Sequence, residues 1–167
     1  MTKRVQVFFG ICMTSFLILI DQLTKYFASQ QLKEGEYPII PEIFSLTYLE
    51  NHGAAFGILQ GKKFFLVLIA IVVFFVLAFL YVRLPEGKRF HLLRILIIFL
   101  SAGAIGNMID RILHGYVIDF FNVFIIHFPI FNVADIYVTL ASIVLVLSMF
   151  FYYKEEDFHF IWERCEK

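Results

Sequence analysis

The sequence predicts an all-α membrane protein of four transmembrane helices, with a small extracytoplasmic β-sheet built from the first outer loop. Three observations predict it. Apolar residues make up 60% of the 167 residues and charged ones only 17%, below the usual quarter for a soluble domain, and the mean hydropathy is +0.81. Four apolar runs approach the ~20 residues that a helix needs to cross a bilayer. Between the first two runs, Tyr37 to Leu49 places Pro38 and Pro41 among β-branched and aromatic residues, a composition that suits short strands.

The first span is expected over about 5–27, behind Lys3 and Arg4. A secretory signal peptide begins in the same way, but no A-x-A site follows and Asp21 interrupts the exit, so the run is read as retained. The second span, 64–82, holds nineteen residues without a charge, opened by Lys62 and Lys63 and stopped by Arg83 and Pro85. The third is placed at about 92–108. The fourth, about 134–153, opens after Pro129 and closes at Lys154 and the acidic run Glu155, Glu156, Asp157. This leaves outer loops at about 28–61 and 109–133 and a tail over about 154–167, all within one integral membrane domain, 1–167. The second outer loop is unusual: Tyr116 to Phe131 is apolar except for Asp119, Asn122 and His127, yet Pro129 and its length argue against a fifth span. It is expected to lie in the membrane interface, where aromatic residues gather.

Four spans put both termini on one side, and the basic residues choose the side. Nine (Lys3, Arg4, Arg83, Lys88, Arg89, Arg94, Lys154, Arg164, Lys167) fall on the termini and the middle loop, against five (Lys25, Lys33, Lys62, Lys63, Arg111) elsewhere. Both ends are therefore expected in the cytoplasm. Fourteen basic residues balance fourteen acidic ones, which leaves no electrostatic footprint for nucleic acid. Cys12 and Cys165 lie at different expected depths and predict no bridge. The histidines, 52, 91, 114, 127 and 159, lack metal-ligand spacing, so no metal site is expected. Ser101 and His114 lack the Gly-x-Ser-x-Gly elbow of a serine hydrolase.

A carboxylate near hydrocarbon costs at least ~2.5–3.5 kcal/mol at a helix centre, so Asp21, Asp110, Asp119 and Asp135 each need a reason. All four fall on the outer side, close to span ends. Asp21 and Lys25, four residues apart, share a helix face; the pair is either a helix-end salt bridge or a cation for a lipid phosphate or a developing negative charge. Gly103 and Gly106 leave a bare helix surface that suits ordinary packing or the close approach of a peptide, and Asn107, Asp110 and Arg111 extend that surface into a polar one. Asn132 and Asp135 match a helix cap and first turn. Capping does not explain Asp119, which sits in Val117-Ile118-Asp119-Phe120-Phe121 eight residues from Arg111, its one local cation. An unpaired acid there is either protonated or faces another polar group. Facing Asp135, it would form a carboxylate pair sharing a proton, the working part of an aspartic protease.

Two other classes compete with that reading. A small proton-coupled carrier also uses intramembrane aspartates, although here all four acids gather at one end of the spans. A structural assembly subunit would use the glycine face to pack a partner helix.

Five blocks appear in order: Asp21-Gln-Leu-Thr-Lys25, Asn51-His-Gly-Ala-Ala-Phe56, Gly103-Ala-Ile-Gly-Asn107 with Asp110-Arg111, Val117-Ile-Asp-Phe120, and Phe128-Pro-Ile-Phe-Asn-Val-Ala-Asp135. Together they make the sequence resemble lipoprotein signal peptidase, the bacterial signal peptidase II family, over most of the chain. The resemblance implies a four-helix enzyme of the bacterial cytoplasmic membrane, with both termini in the cytoplasm and the site toward the outer face. It implies cleavage of diacylglyceryl-modified prolipoproteins before the lipidated cysteine, by a monomer among membrane lipids and without a cofactor. Asp119 and Asp135 would be the catalytic pair. Asn51, Asn107, Arg111 and Asn132 would hold substrate or orient the pair; Asp110 lies in the same polar block. Asp21 and Lys25 would support it or lie near the lipid. Gly53, with its small neighbours in 51–57, either makes a tight turn at a sheet edge or lets the first outer loop close over an extended substrate.

Overall fold

The computed structural model describes residues 2–54, 58–125 and 128–161. Four helices, α1 (Lys3–Gln31), α2 (Lys63–Arg83), α3 (His91–Leu113) and α4 (Val133–Phe151), are long and apolar enough to cross a membrane. Helices satisfy their own backbone groups, which is what hydrocarbon demands of an apolar run. Single 3₁₀ segments cover Lys88–Phe90 and Glu155–Ile161.

The centre of the bundle is α3, which packs against each of the other three helices. The buried positions of α1, namely Gln6, Gly10, Leu17, Asp21, Lys25 and Ala28, recur at intervals of three, four and seven and form one stripe. None of the residues of α2 is buried. It is apolar on every side and lies at the edge of the bundle, presenting Phe64 and Phe75 outward. Toward one end the core is Leu84, Leu93, Ile97 and Tyr153; toward the other Ala28 of α1 packs with Ile118 and Phe120 of the sheet.

The glycine face of α3 sets the helix separation. A Cβ on Gly103 would stand 2.5 Å from Val138 Cγ2 and 2.7 Å from the Ala134 carbonyl oxygen, and one on Gly106 would stand 2.5 Å from Asp21 Oδ2. Only a residue without a side chain lets α4 and the Asp21 carboxylate come so close.

The helices run beyond the hydropathic windows of the sequence. Toward its C-terminus α3 continues to Leu113 instead of ending near 108, so Asn107, Asp110 and Arg111 all stand on a helix. Apolarity ends there before the helix does, because those polar side chains find partners inside the protein. At its own C-terminal end α1 continues to Gln31.

The sheet is antiparallel, in the order β1 (Tyr37–Ile40), β2 (Phe44–Asn51), β3 (Val117–Val123). The first two strands come from the expected loop. The third comes from the second outer loop, so residues 117–123 of the segment assigned to the interface form a strand instead. Val117, Ile118, Asp119 and Phe120 are buried in succession. A strand covered on both faces shows no alternation of apolar and polar residues, and so it reads as an apolar run. Beyond it, the Phe120 and Phe121 N–H groups donate to the Phe131 carbonyl and the Phe131 N–H donates to Phe121. That contact brings the start of α4 beside β3.

Candidate active site

Asp119 and Asp135 come from different elements. In β2–β3 pairing Asn51 lies opposite Val117 and Leu49 opposite Asp119, so Asn51 and Asp119 are diagonal neighbours on one face, within reach of each other. Asn51 Nδ2 donates to Asp119 Oδ2 at 2.9 Å and Asn132 Nδ2 donates to Oδ1 at 2.6 Å. Asp135 lies in the first turn of α4 and closes a capping box. Its backbone N–H donates to Asn132 Oδ1 at 3.0 Å, and its Oδ2 accepts from the Asn132 N–H at 3.1 Å. The Asp135 Oδ1 accepts from Asn107 Nδ2 at 2.8 Å. Asn132 thus touches both acids. Capping and site-building are the same set of contacts here, although the sequence sets them side by side as alternatives.

Each of the three asparagines has its amide orientation fixed by an obligatory donor at its oxygen. For Asn51 it is the Gly53 N–H (2.9 Å), for Asn132 the Asp135 N–H, and for Asn107 the Lys25 ammonium (2.9 Å). Backbone N–H groups and an ammonium cannot accept. All three amides must therefore turn their NH₂ groups toward the carboxylates.

The environments of the two acids differ. Asp119 is 1% exposed. Burial, and then the nearby charge of Asp135, push its carboxyl up to about 7, while the amides of Asn51 and Asn132 pull the other way. Asp135 is half-buried at a helix N-terminus, where the dipole and the Asn132 N–H favour negative charge. Of the two, Asp119 is the acid that its surroundings dispose to hold a proton.

Behind the pair lies a second cluster, fully enclosed: Asp21, Lys25 and Asp110 are 0%, 1% and 1% exposed. Lys25 Nζ lies 2.9 Å from Asp21 Oδ2 and 3.0 Å from Asp110 Oδ2. Gln22 Nε2 donates to Asp110 Oδ1 at 3.0 Å and lies 3.2 Å from both Asp21 Oδ2 and the Gly106 carbonyl oxygen. Lys25 is thus enclosed by protein groups rather than turned toward lipid. Arg111 stands apart from this cluster and donates to the carbonyls of Asn107 (3.2 Å) and Gly53 (2.8 Å), tying the end of β2 to α3.

All ten sequence candidates therefore fall at one end of the bundle. Gln22 is absent from that set, although a glutamine between Asp21 and Lys25 in an apolar helix was a usable signal. The Ile118 and Ala134 N–H groups, which donate to the Asp110 and Asp21 carboxylates, carry no sequence signal at all. Residues 55–57 of the expected closing loop lie outside the described residues, as do His127 and Cys165.

A family model described as signal peptidase (SPase) II matches residues 13–151. The chain belongs to this family. It is 42% identical over 144 residues to a lipoprotein signal peptidase of Caldanaerobacter subterraneus subsp. tengcongensis, covering 85% of this chain and 96% of the relative. Against the lipoprotein signal peptidase of Brevibacillus brevis it is 42% identical, covering 80% of this chain and 89% of the relative. Against that of Staphylococcus aureus it is 36% identical, with 89% and 92% covered. Among solved structures it resembles a bacterial membrane enzyme determined in meso at 2.3 Å, with a TM-score of 0.77 and 34% identity over 84% of this chain and 87% of that one. Family membership makes the chain an aspartic endopeptidase.

Proposed function

We propose that the chain removes the signal peptide from diacylglyceryl-modified prolipoproteins, cutting before the lipidated cysteine, with Asp119 and Asp135 as the catalytic pair. The observation that carries the assignment is that these two acids, brought from β3 and from the first turn of α4, share Asn132 as a common hydrogen-bond partner. Asp135, ionised, takes a proton from the attacking water; Asp119, protonated, donates to the scissile carbonyl oxygen as the tetrahedral intermediate forms. Collapse of the intermediate returns a proton to the leaving amine. Asn51, Asn107 and Asn132 hold the acids in place, and Arg111 fixes the Gly53 backbone beside the cleft.

The bundle suits a substrate that stays in the bilayer. The apolar outer side of α2 is exposed at the edge of the bundle, and the site lies at the end of the helices roofed by the three strands. The distribution of basic residues supports that end facing outward and both termini lying in the cytoplasm of a bacterial inner membrane. Family membership leaves the carrier reading without support.

The test is cleavage of a lipidated precursor by purified enzyme in detergent. Asp119→Asn and Asp135→Asn are each expected to lose roughly a hundred- to ten-thousandfold in rate. Wild-type cleavage by either would end this assignment.

A further inference from the structure

Each dyad acid is preceded in sequence by a residue whose backbone N–H is held by a carboxylate of the second cluster. Asp21 Oδ1 accepts from the Ala134 N–H at 2.9 Å, and Asp110 Oδ2 accepts from the Ile118 N–H at 3.1 Å. Ala134 immediately precedes Asp135, and Ile118 immediately precedes Asp119. Both carboxylates are drawn onto the one ammonium of Lys25, at 2.9 and 3.0 Å. The same ammonium fixes the Asn107 amide that donates to Asp135.

We infer that Lys25 is a positioning residue that sets the separation of the catalytic carboxylates, acting through Asp21 on the backbone before Asp135 and through Asp110 on the backbone before Asp119. This rests on the dyad assigned above. The ammonium does not touch the reacting atoms in this arrangement. It is the one cation between two buried carboxylates, and each carboxylate is a rigid spacer between Lys25 and a peptide N–H. Moving the centre moves both acids relative to each other, and mutual repulsion between close carboxylates depends on that distance. Gln22 braces the arrangement from the side, bonded to both carboxylates and to the α3 backbone at Gly106.

A role confined to holding the fold would lower stability and leave the pH profile of cleavage by the folded enzyme unchanged. A role in setting the dyad changes the pH profile. The experiment is the pH–rate profile of lipidated-precursor cleavage in detergent, with kcat and KM separated, for Lys25→Met, Lys25→Arg and the pair Asp119→Asn and Asp135→Asn. Lys25→Met is expected to lower kcat about a hundredfold, the cost of a misplacement near 1 Å, with KM within about threefold. The spacing between the acidic and alkaline limbs should change as well. Lys25→Arg, which keeps a cation between the carboxylates, is expected to recover at least about a tenth of the rate and to bring the limbs back toward their original spacing.

Lys25→Met leaves two unpaired buried carboxylates and is liable to unfold. The neutral triple variant Asp21→Asn, Lys25→Met, Asp110→Asn removes that penalty. Its amides still accept the two backbone hydrogen bonds, but no charge draws them together, so it is expected to show the same kcat loss and altered limb spacing. Wild-type kcat with unchanged limbs in either folded variant overturns the inference while inactive dyad variants leave the dyad standing. Wild-type cleavage by Asp119→Asn or Asp135→Asn overturns both.

Discussion

At the residue scale the site depends on an asymmetry between two chemically identical side chains. Asp119, on a strand buried on both faces, is pushed up to about 7 by burial and by Asp135, so near neutral pH it still carries the proton it is proposed to donate. Above that value it ionises, and kcat/KM is expected to fall along an alkaline limb near pH 7, measurable in the cleavage profile. The stability consequence has a definite sign. An acid whose folded value lies above its unfolded value of ~3.9 binds more protons folded than unfolded between the two. Stability contributed there is therefore lost as pH rises from about 4 to about 7. Asp119→Asn, which cannot ionise, is expected to have a higher thermal midpoint than the wild type at pH 8, with the difference shrinking by pH 5. A scan in detergent at both values checks it. Asp119 and Asp135 were legible as residues in the sequence because charge is so scarce there. Asn132 was named beside them through the family resemblance, while its local pattern reads equally well as a cap; that one amide bridges the two acids was not legible.

At the scale of elements, the site is assembled where α3 meets α4 and where β3 meets the segment before α4. Gly103 is the test of the first contact. Gly103→Ala would place a methyl 2.7 Å from the Ala134 backbone oxygen and 2.5 Å from Val138 Cγ2, and backbone does not yield as a side-chain tip does. A loss of about 1–3 kcal/mol is expected, seen as a lower thermal midpoint, with a fall in cleavage because Ala134 adjoins Asp135. The second contact is tested by Asn132→Ala. Removal of the cap costs about 1 kcal/mol, and because the same amide donates to Asp119, the rate should fall by far more than the stability. The helices were legible from hydropathy to within a few residues, and β1 and β2 from their prolines and β-branched residues. The strand β3 was not, because burial on both faces erases the period of two, and a run of apolar residues with one acid has the same composition at an interface as in a sheet.

At the scale of the whole molecule, four apolar helices and a roof of three strands enclose a polar end. The proposed orientation predicts that a C-terminal fluorescent fusion is bright in cells and that Ile39→Cys, on the exposed β1 strand, is labelled by an impermeant thiol reagent from outside. Labelling only after the membrane is permeabilised would reverse the orientation. The sequence by itself determined the solvent, the number of spans, the side preferred by its basic residues, and which few acids needed explaining. These follow from composition and local pattern, which a chain carries before it folds. Only the tertiary structure decided which groups meet. It set Asn132 between two acids sixteen positions apart in sequence and placed Lys25 of α1 between carboxylates of α1 and α3. It also joined those carboxylates to the peptide groups preceding Asp119 and Asp135. Such contacts depend on helix separation and strand register, and these are fixed by packing over distances that no local pattern in the sequence spans.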